Sequence, residues 1–559
     1  MTFMGLVGSS LATARICIIL IPAFLLFGYN QSNLGGVLDY PSFTRHFPSI
    51  DTSNTEGAVK DHNATVQGNQ YQSPILLLRL LLRFLLCLLS VLSTFSYLPT
   101  ASFLGTVVAV YTLGCLVGSL GVTQLGNRIG RRKSLIVSAV VATVGLVIQA
   151  SSYSLGQLVV GRLVSGAGNG GVNAIVPVWQ SECTQPKSRG KNVVIVGVFI
   201  ASGIAAAGWV NVGLSYLEKS EVAWRLPLAI PILFTLPLMT LTMTFPESPR
   251  WLISNGRREE AHAAMRALTG RGESSAEMQE LERVLQQTPT QERGFMDLLS
   301  PGPQRLFYRL CLAVGINFCA QMTGANVISY YGKTIFRDSL GLSGDKASLL
   351  NAGVLTWKIF AATSAYLSVD RFGRKPLFIS ACLGMGLSMA GLAGTVWAIE
   401  NRPGSTLGAS AAATFFLFLF MTFFPLGFLG ANFLLGSEIA PQDLRVHLAA
   451  VGTAAHWLFN FVIAEITPVA FATIKYRYYI VYAVIGVSAS IMVYLFCPET
   501  KGRSLEEMDS LFSEPEAWWK VTAYARMNRH GDGNRTINKE LVLVGNEKHD
   551  VEHFETVTR

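Results

Sequence analysis

Gly126-Asn127-Arg128-Ile129-Gly130-Arg131-Arg132-Lys133 is a short basic run between two long apolar stretches. Its pattern returns as Val369-Asp370-Arg371-Phe372-Gly373-Arg374-Lys375, again flanked by apolar stretches. Glycine permits a tight backbone turn at a helix end. Arginine and lysine enter hydrocarbon only at high cost, so each run predicts a loop on the cytoplasmic side of a membrane. One such loop is a topology signal. A duplicated one inside a chain of apolar segments predicts two related halves.

Half of the 559 residues are hydrophobic and 14% are charged, against about 25% charged in soluble domains. Apolar runs of about 20 residues, long enough to cross a bilayer, recur along the whole length. The chain therefore reads as a polytopic, all-α membrane protein. The net charge of +9 sits mostly in loops between spans, which fits topogenesis and not nucleic-acid binding. Eight scattered cysteines without a CxxC pair predict neither a disulfide framework nor a zinc site. The N-terminal apolar run has no clear cleavage site and reads as the first span, not as a removed signal peptide.

Spans are predicted near 12–38, 101–125, 134–152, 155–179, 192–215 and 224–244, and then near 306–336, 347–369, 376–399, 409–437, 446–472 and 478–497. This gives an N-terminal half (1–244), a charged helical linker (245–305), a C-terminal half (306–497) and a polar tail (498–559). Arg257–Leu268 and Ala276–Leu285 read as short amphipathic helices of the linker. Asn63-Ala64-Thr65 is a glycosylation sequon, which fits an outside loop. The leucine-rich stretch 75–98, with Arg79 and Arg83, is atypical. As a full span it would reverse the side of every later loop. An interfacial or re-entrant helix, or a stretch foreign to the mature protein, preserves the positive-inside pattern. Positive residues then fall inside, with Lys475 and Arg477 as the exception.

The repeat reaches beyond the basic loops. Glu182 precedes Arg189 by seven residues, as Glu438 precedes Arg445. Pro246-Glu247-Ser248-Pro249-Arg250 closes the first half, and Pro498-Glu499-Thr500-Lys501-Gly502-Arg503 the second. Two parallel six-span halves predict alternating access around a midplane site.

Together with Gly161-Arg162-Leu163, Pro177-Val178-Trp179-Gln180-Ser181-Glu182, Gln321-Met322-Thr323-Gly324-Ala325-Asn326 and Tyr330-Tyr331, these motifs resemble the sugar porter family of the major facilitator superfamily, in its fungal branch. The resemblance covers nearly the whole chain apart from 74–100 and the tail. It implies the major facilitator fold of twelve transmembrane helices. It also implies a monomeric plasma-membrane carrier with both termini cytoplasmic, moving a sugar or sugar-like metabolite with or without protons. Arg131 and Arg189 with Glu182 and Glu247, and Arg374 and Arg445 with Glu438 and Glu499, are expected as two mirrored ion-pair clusters, with Asp370 in the second basic loop. Such clusters hold the cytoplasmic side shut and break on switching; static interfacial anchoring is the plainer reading of the same charges.

A sugar offers hydroxyls and a few apolar ring faces, so its site needs amides, hydroxyls and aromatics. The candidates at midplane depth are Asn30, Gln31, Gln321, Asn326, Tyr330, Tyr331, Asn432, Phe433, Trp457 and Asn460. Any single amide could instead serve interhelical bonding. Gly166-Ala167-Gly168-Asn169-Gly170-Gly171 mimics a dinucleotide loop, but no strand precedes it, and small residues in a span predict close helix packing.

The chain also departs from the resembled family. Ala320 replaces the first of two successive glutamines, Asn432-Phe433 stands for Pro-Trp, His456-Trp457 for Asn-Trp, and Val196-Gly197 occupies the place of a Gln or Glu. These changes leave room for a polyol, a quinate-like acid or a specialised metabolite, taken up or exported. Asn30 stands where proton-coupled members often carry Asp near Arg162. Asn cannot titrate, which favours uniport, with His456 as another possible proton carrier. Lys358, halfway along its span, faces a cavity or a partner; an anionic substrate and a snorkelling lysine are the two readings. A non-transporting nutrient sensor would share this fold, although its kind commonly has a longer tail. No nucleophile triad, metal cluster or phosphate loop points to an enzyme, and no cofactor or metal is expected.

Overall fold

The computed structural model describes residues 5–38, 40–48, 109–183, 189–270 and 295–527, apart from 301, 303, 403–405, 442, 443, 502, 504 and 516. Asn63, the 75–98 stretch and the second predicted linker helix lie outside the described residues. Every regular element among the described residues is helical. The long helices of the first half are α1 (Gly8–Ser32), α2 (Ala109–Ile129), α3 (Arg131–Ala150), α4 (Leu155–Glu182), α5 (Arg189–Ser215) and α6 (Val222–Thr244). The second half contains α7 (Leu306–Ser339), α8 (Gly344–Phe372), α9 (Arg374–Asn401), α10a (Thr406–Phe428), α10b (Ala431–Glu438), α11 (Arg445–Thr473) and α12 (Arg477–Phe496). Nine helices among the described residues are long and apolar enough to cross a membrane. Three further long helices, α2, α4 and α8, carry more glycine, amide and charged residues and pack among them.

The packing repeats with a shift of six helices. Within the first half α3 and α2 pack on α4, and α1 packs on α5; within the second, α9 and α8 pack on α10a, and α7 packs on α11. Between the halves, α2 meets α11 and α5 meets α8. Those two contacts exchange under the same shift, so the halves are related by a pseudo-two-fold axis passing between them.

Glycines allow the tightest of these contacts. A Cβ on Gly166 or Gly170 would collide with the α2 backbone at Tyr111 or Cys115, and one on Gly168 with the α3 backbone at Ala142. The glycine run of α4 is thus a packing surface, as its setting inside a span predicts.

The first span starts four residues earlier than expected, at Gly8. Two spans predicted as continuous are broken at a glycine of positive φ. α7 breaks at Gly324, with φ 92°, and α10 breaks between α10a and α10b at Gly430, with φ 107°. In hydrocarbon such breaks persist only where protein or a cavity satisfies the freed backbone. Both lie at the centre of the second half, and Asn326 and Asn432 each sit two residues after one. The linker begins with helices Pro249–Ser254 and Arg258–Thr269. The tail folds back as Leu505–Ser513 and Val521–Met527, where Asp509 pairs with the fully buried Arg309 of α7 at 2.6 Å.

Candidate transport site and gate clusters

The two basic turns have nearly the same backbone. Gly130 adopts φ 90°, ψ 169° and Gly373 φ 90°, ψ 174°, each as the N-cap of the helix that follows. This region is open essentially to glycine alone. A carboxylate lies against each turn: a Cβ on Gly130 would stand 2.6 Å from Glu247, and one on Gly373 2.6 Å from Glu499.

Glu247 accepts from the backbone N–H groups of Arg131 and Arg132, both at 3.1 Å. Glu499 accepts from those of Arg374 at 3.0 Å and Lys375 at 3.1 Å. Each carboxylate therefore caps a helix start, where free N–H groups and the helix dipole favour negative charge. The guanidiniums reach the other glutamates. Arg131 meets Glu182 through Nε and Nη2, both at 2.9 Å, and also donates to the Gly126 carbonyl at 2.9 Å. Arg374 reaches Glu438 at 2.9 Å, whose second oxygen accepts from Thr500 Oγ1 at 2.6 Å. Both ion pairs are almost fully buried. Arg445 is buried at the start of α11. The side chains of Arg189 and Asp370 lie outside the described set.

The central site lies between the halves. Gln31 of α1, Gln321 and Asn326 of α7, Lys358 of α8, Phe433 of α10b and His456 of α11 line it, with Phe27, Phe424 and Phe428 adding apolar faces. Gln321 Nε2 lies 3.0 Å from the His456 ring nitrogens, and Gln321 Oε1 accepts from Asn326 Nδ2. That last bond needs the break at Gly324, which lets Asn326 turn back on Gln321. Asn432 Nδ2 donates to Asn317 Oδ1 at 2.9 Å and approaches His456 Nδ1 at 3.5 Å. Phe433 and Phe27 flank the His456 ring at 5.1 and 6.3 Å.

Trp457 is fully buried and meets Phe27 and Tyr111 edge to face, at 5.2 and 6.3 Å. Tyr111 carries Arg162 over its ring at 5.1 Å. Asn30 is buried and accepts from Asn33 at 3.4 Å. Tyr330 donates to Asn460 at 2.9 Å, while Tyr331 donates to the Ala464 carbonyl at 3.0 Å. Tyr331 has φ −115°, outside the helical range, and packs in a separate apolar cluster toward the far end. The structure thus gathers Gln31, Gln321, Asn326, Phe433, Lys358 and His456 around one space. Asn432 lies one bond away, and Asn30, Tyr331 and Arg162 are engaged elsewhere. Asn317 and Phe27 join the site unforeseen. Each lies four residues before a recognised glutamine, Gln321 or Gln31, and so shares its helix face.

The central space is only about 10 Å³, against the roughly 300–1,000 Å³ of a ligand pocket. A second space of about 20 Å³ lies towards the basic clusters, lined by Asn173, Asn317, Asn432 and Thr453. A third of about 20 Å³ lies on the opposite side, lined by Tyr40, Asn211, Tyr330 and Asn351. On that side Tyr40 donates to the Asn211 carbonyl of its own half at 2.6 Å, and Lys333 of the second half stands over its ring, 5.5 Å from Nζ to the centroid. Among the described residues, only these small spaces adjoin the polar centre along the pseudo-axis.

Two pseudo-symmetric helix sets, a polar centre between them and matched charge clusters at one face define a membrane transporter of major facilitator architecture. The chain belongs to the sugar (and other) transporter family, whose description matches residues 16–512. It is 35% identical over 416 residues to the MFS-type transporter oryC of Aspergillus oryzae, covering 73% of this chain and 77% of that one. It is 30% identical over 518 residues to Sugar transporter STL1 of Saccharomyces cerevisiae, covering 91% and 83%. The proton:xylose symporter XylE bound to 6-bromo-6-deoxy-D-glucose shares its fold, with a TM-score of 0.69 at 24% identity over 89% of this chain and 99% of that one.

Proposed function

We propose that this chain carries a sugar or sugar-like small polar metabolite across the plasma membrane by alternating access, as a monomer with both termini cytoplasmic. The observation that carries the reading is the central space: both halves build it, from amides and aromatic faces. The Arg131–Glu182 and Arg374–Glu438 pairs, with Glu247 and Glu499 holding the helix starts beside them, form the cytoplasmic gate. Opening that gate separates the pairs, and opening the Tyr40 side releases the other exit. The carrier works as a uniporter. Asn30 cannot hold a proton, and among the described residues no carboxylate pairs with Arg162.

A non-hexose substrate is favoured by one feature. His456 is engaged by Gln321 and flanked by Phe433, so an imidazole stands among the amides of the site beside the buried Lys358. The test is uptake of labelled glucose, sorbitol and quinate by cells lacking their own hexose carriers, with and without a protonophore. Accumulation of any one above the empty-vector control is the expected result, unaffected by the protonophore where the compound is the neutral glucose or sorbitol. No uptake by a chain shown to reach the plasma membrane, with or without 75–98, contradicts the reading.

A further inference from the structure

Lys358 lies in mid-span on α8 and is 1% exposed. Its ammonium lines the central space instead of reaching an interface. An ammonium has three protons to donate. Its one acceptor among the described residues is Ser329 Oγ, at 3.5 Å, and its other neighbour is the Phe424 ring, 4.9 Å from Nζ to the centroid. No carboxylate pairs with it among the described residues, in contrast to the arginines of the two gate clusters. Charges buried in protein are normally paired, because leaving water costs far more than one long hydrogen bond returns. An unpaired cation inside a membrane protein marks a substrate path. Here it stands beside amides suited to hydroxyl groups, Gln31, Gln321 and Asn326, and beside the apolar faces of Phe424 and Phe428.

We propose that the substrate is a small hydroxylated monocarboxylate, a sugar acid or cyclic hydroxy acid, whose carboxylate pairs with Lys358 during transport. The assignment rests on the carrier reading above and narrows its substrate class. The amides take the hydroxyl groups, the phenylalanine faces take the carbon skeleton, and Lys358 supplies the charge that neutral sugars do not need.

The full-length protein in liposomes is offered two matched pairs of labelled probes: D-gluconate against sorbitol, and quinate against myo-inositol. D-gluconate differs from sorbitol only in a carboxylate for a terminal hydroxymethyl group; quinate and myo-inositol share the six-membered carbon ring, quinate with a carboxylate and four hydroxyls and inositol with six hydroxyls. Wild type is expected to carry at least one acid in preference to its neutral partner. Lys358→Met should lower that acid uptake at least about 30-fold, as expected for removing one partner of a buried charge pair, while Lys358→Arg keeps a measurable part of it. The preference of the wild type is read without any variant, so it stands even if Lys358→Met fails to fold. Preference for sorbitol or inositol overturns the anion assignment and leaves the carrier reading standing. Acid uptake unchanged by Lys358→Met removes Lys358 from recognition and overturns the proposal. Transport of none of the four overturns the anion assignment; if glucose is carried in the cell assay, the carrier reading survives it.

Discussion

Arg131 and Glu182 meet fork to fork, with two 2.9 Å bonds between side chains that are both more than nine-tenths buried. Planar guanidinium and carboxylate match in this geometry, which makes it among the strongest of charge pairs. Removing one partner strands the other charge and costs about 3–5 kcal/mol. Arg131→Ala should therefore loosen the end of α4. Cys183, directly after Glu182 and partly buried, reports on it. Its modification by a maleimide, read by peptide mass spectrometry, should run faster in Arg131→Ala than in wild type. An unchanged rate would mean that the pair does not hold this end closed.

The twin turns give a paired prediction. Alanine at Gly130 or Gly373 would be forced to φ 90° and would press its Cβ against Glu247 or Glu499. The backbone strain alone is about 1–3 kcal/mol. Gly130→Ala and Gly373→Ala should lower the melting temperature of the detergent-solubilised protein by similar amounts. A large drop for one and none for the other would break the equivalence of the two halves.

At the centre, His456 accepts from Gln321 across the α7–α11 contact. His456→Leu leaves the Gln321 amide buried without that partner, a cost of about 1–3 kcal/mol. For the carried substrate KM should change by about 5-fold or more, with His456→Gln closer to wild type. Equal KM in all three would place His456 outside recognition.

Asn30 yields a prediction about energy coupling. A neutral amide neither takes up nor releases a proton at any physiological pH. In liposomes clamped at zero membrane potential, uptake should thus be the same with and without a protonophore. Loss of uptake on adding a protonophore would mean that another group carries protons.

The architecture was legible because its signals are local in sequence. Span length, basic turns and the order Gly130, Glu182, Glu247 against Gly373, Glu438, Glu499 need no knowledge of packing. The roles inside the clusters were less legible. Glu247 and Glu499 read as partners of guanidiniums, but they bind the backbone N–H groups that begin α3 and α9. Charge alone cannot tell a side-chain donor from a helix start. The site itself was partly hidden by two helix breaks. A continuous α7 puts Gln321 and Asn326 well round the helix from each other, whereas the break at Gly324 lets them bond. The non-helical φ at Tyr331 likewise accompanies a hydroxyl directed to Ala464. Asn317 and Phe27 could have been found from their four-residue spacing to Gln321 and Gln31. What could not be read was how small the space between the halves is, because that depends on how the halves tilt together.

The most direct test of alternating access is counterflow. Liposomes holding the protein are loaded with an unlabelled compound that the uptake assays show to be carried, then diluted into a trace of the same compound with label. A carrier that exposes one site to each side in turn predicts a transient accumulation of label above its equilibrium level. Label that only rises to equilibrium, or does not enter beyond protein-free liposomes, would contradict it.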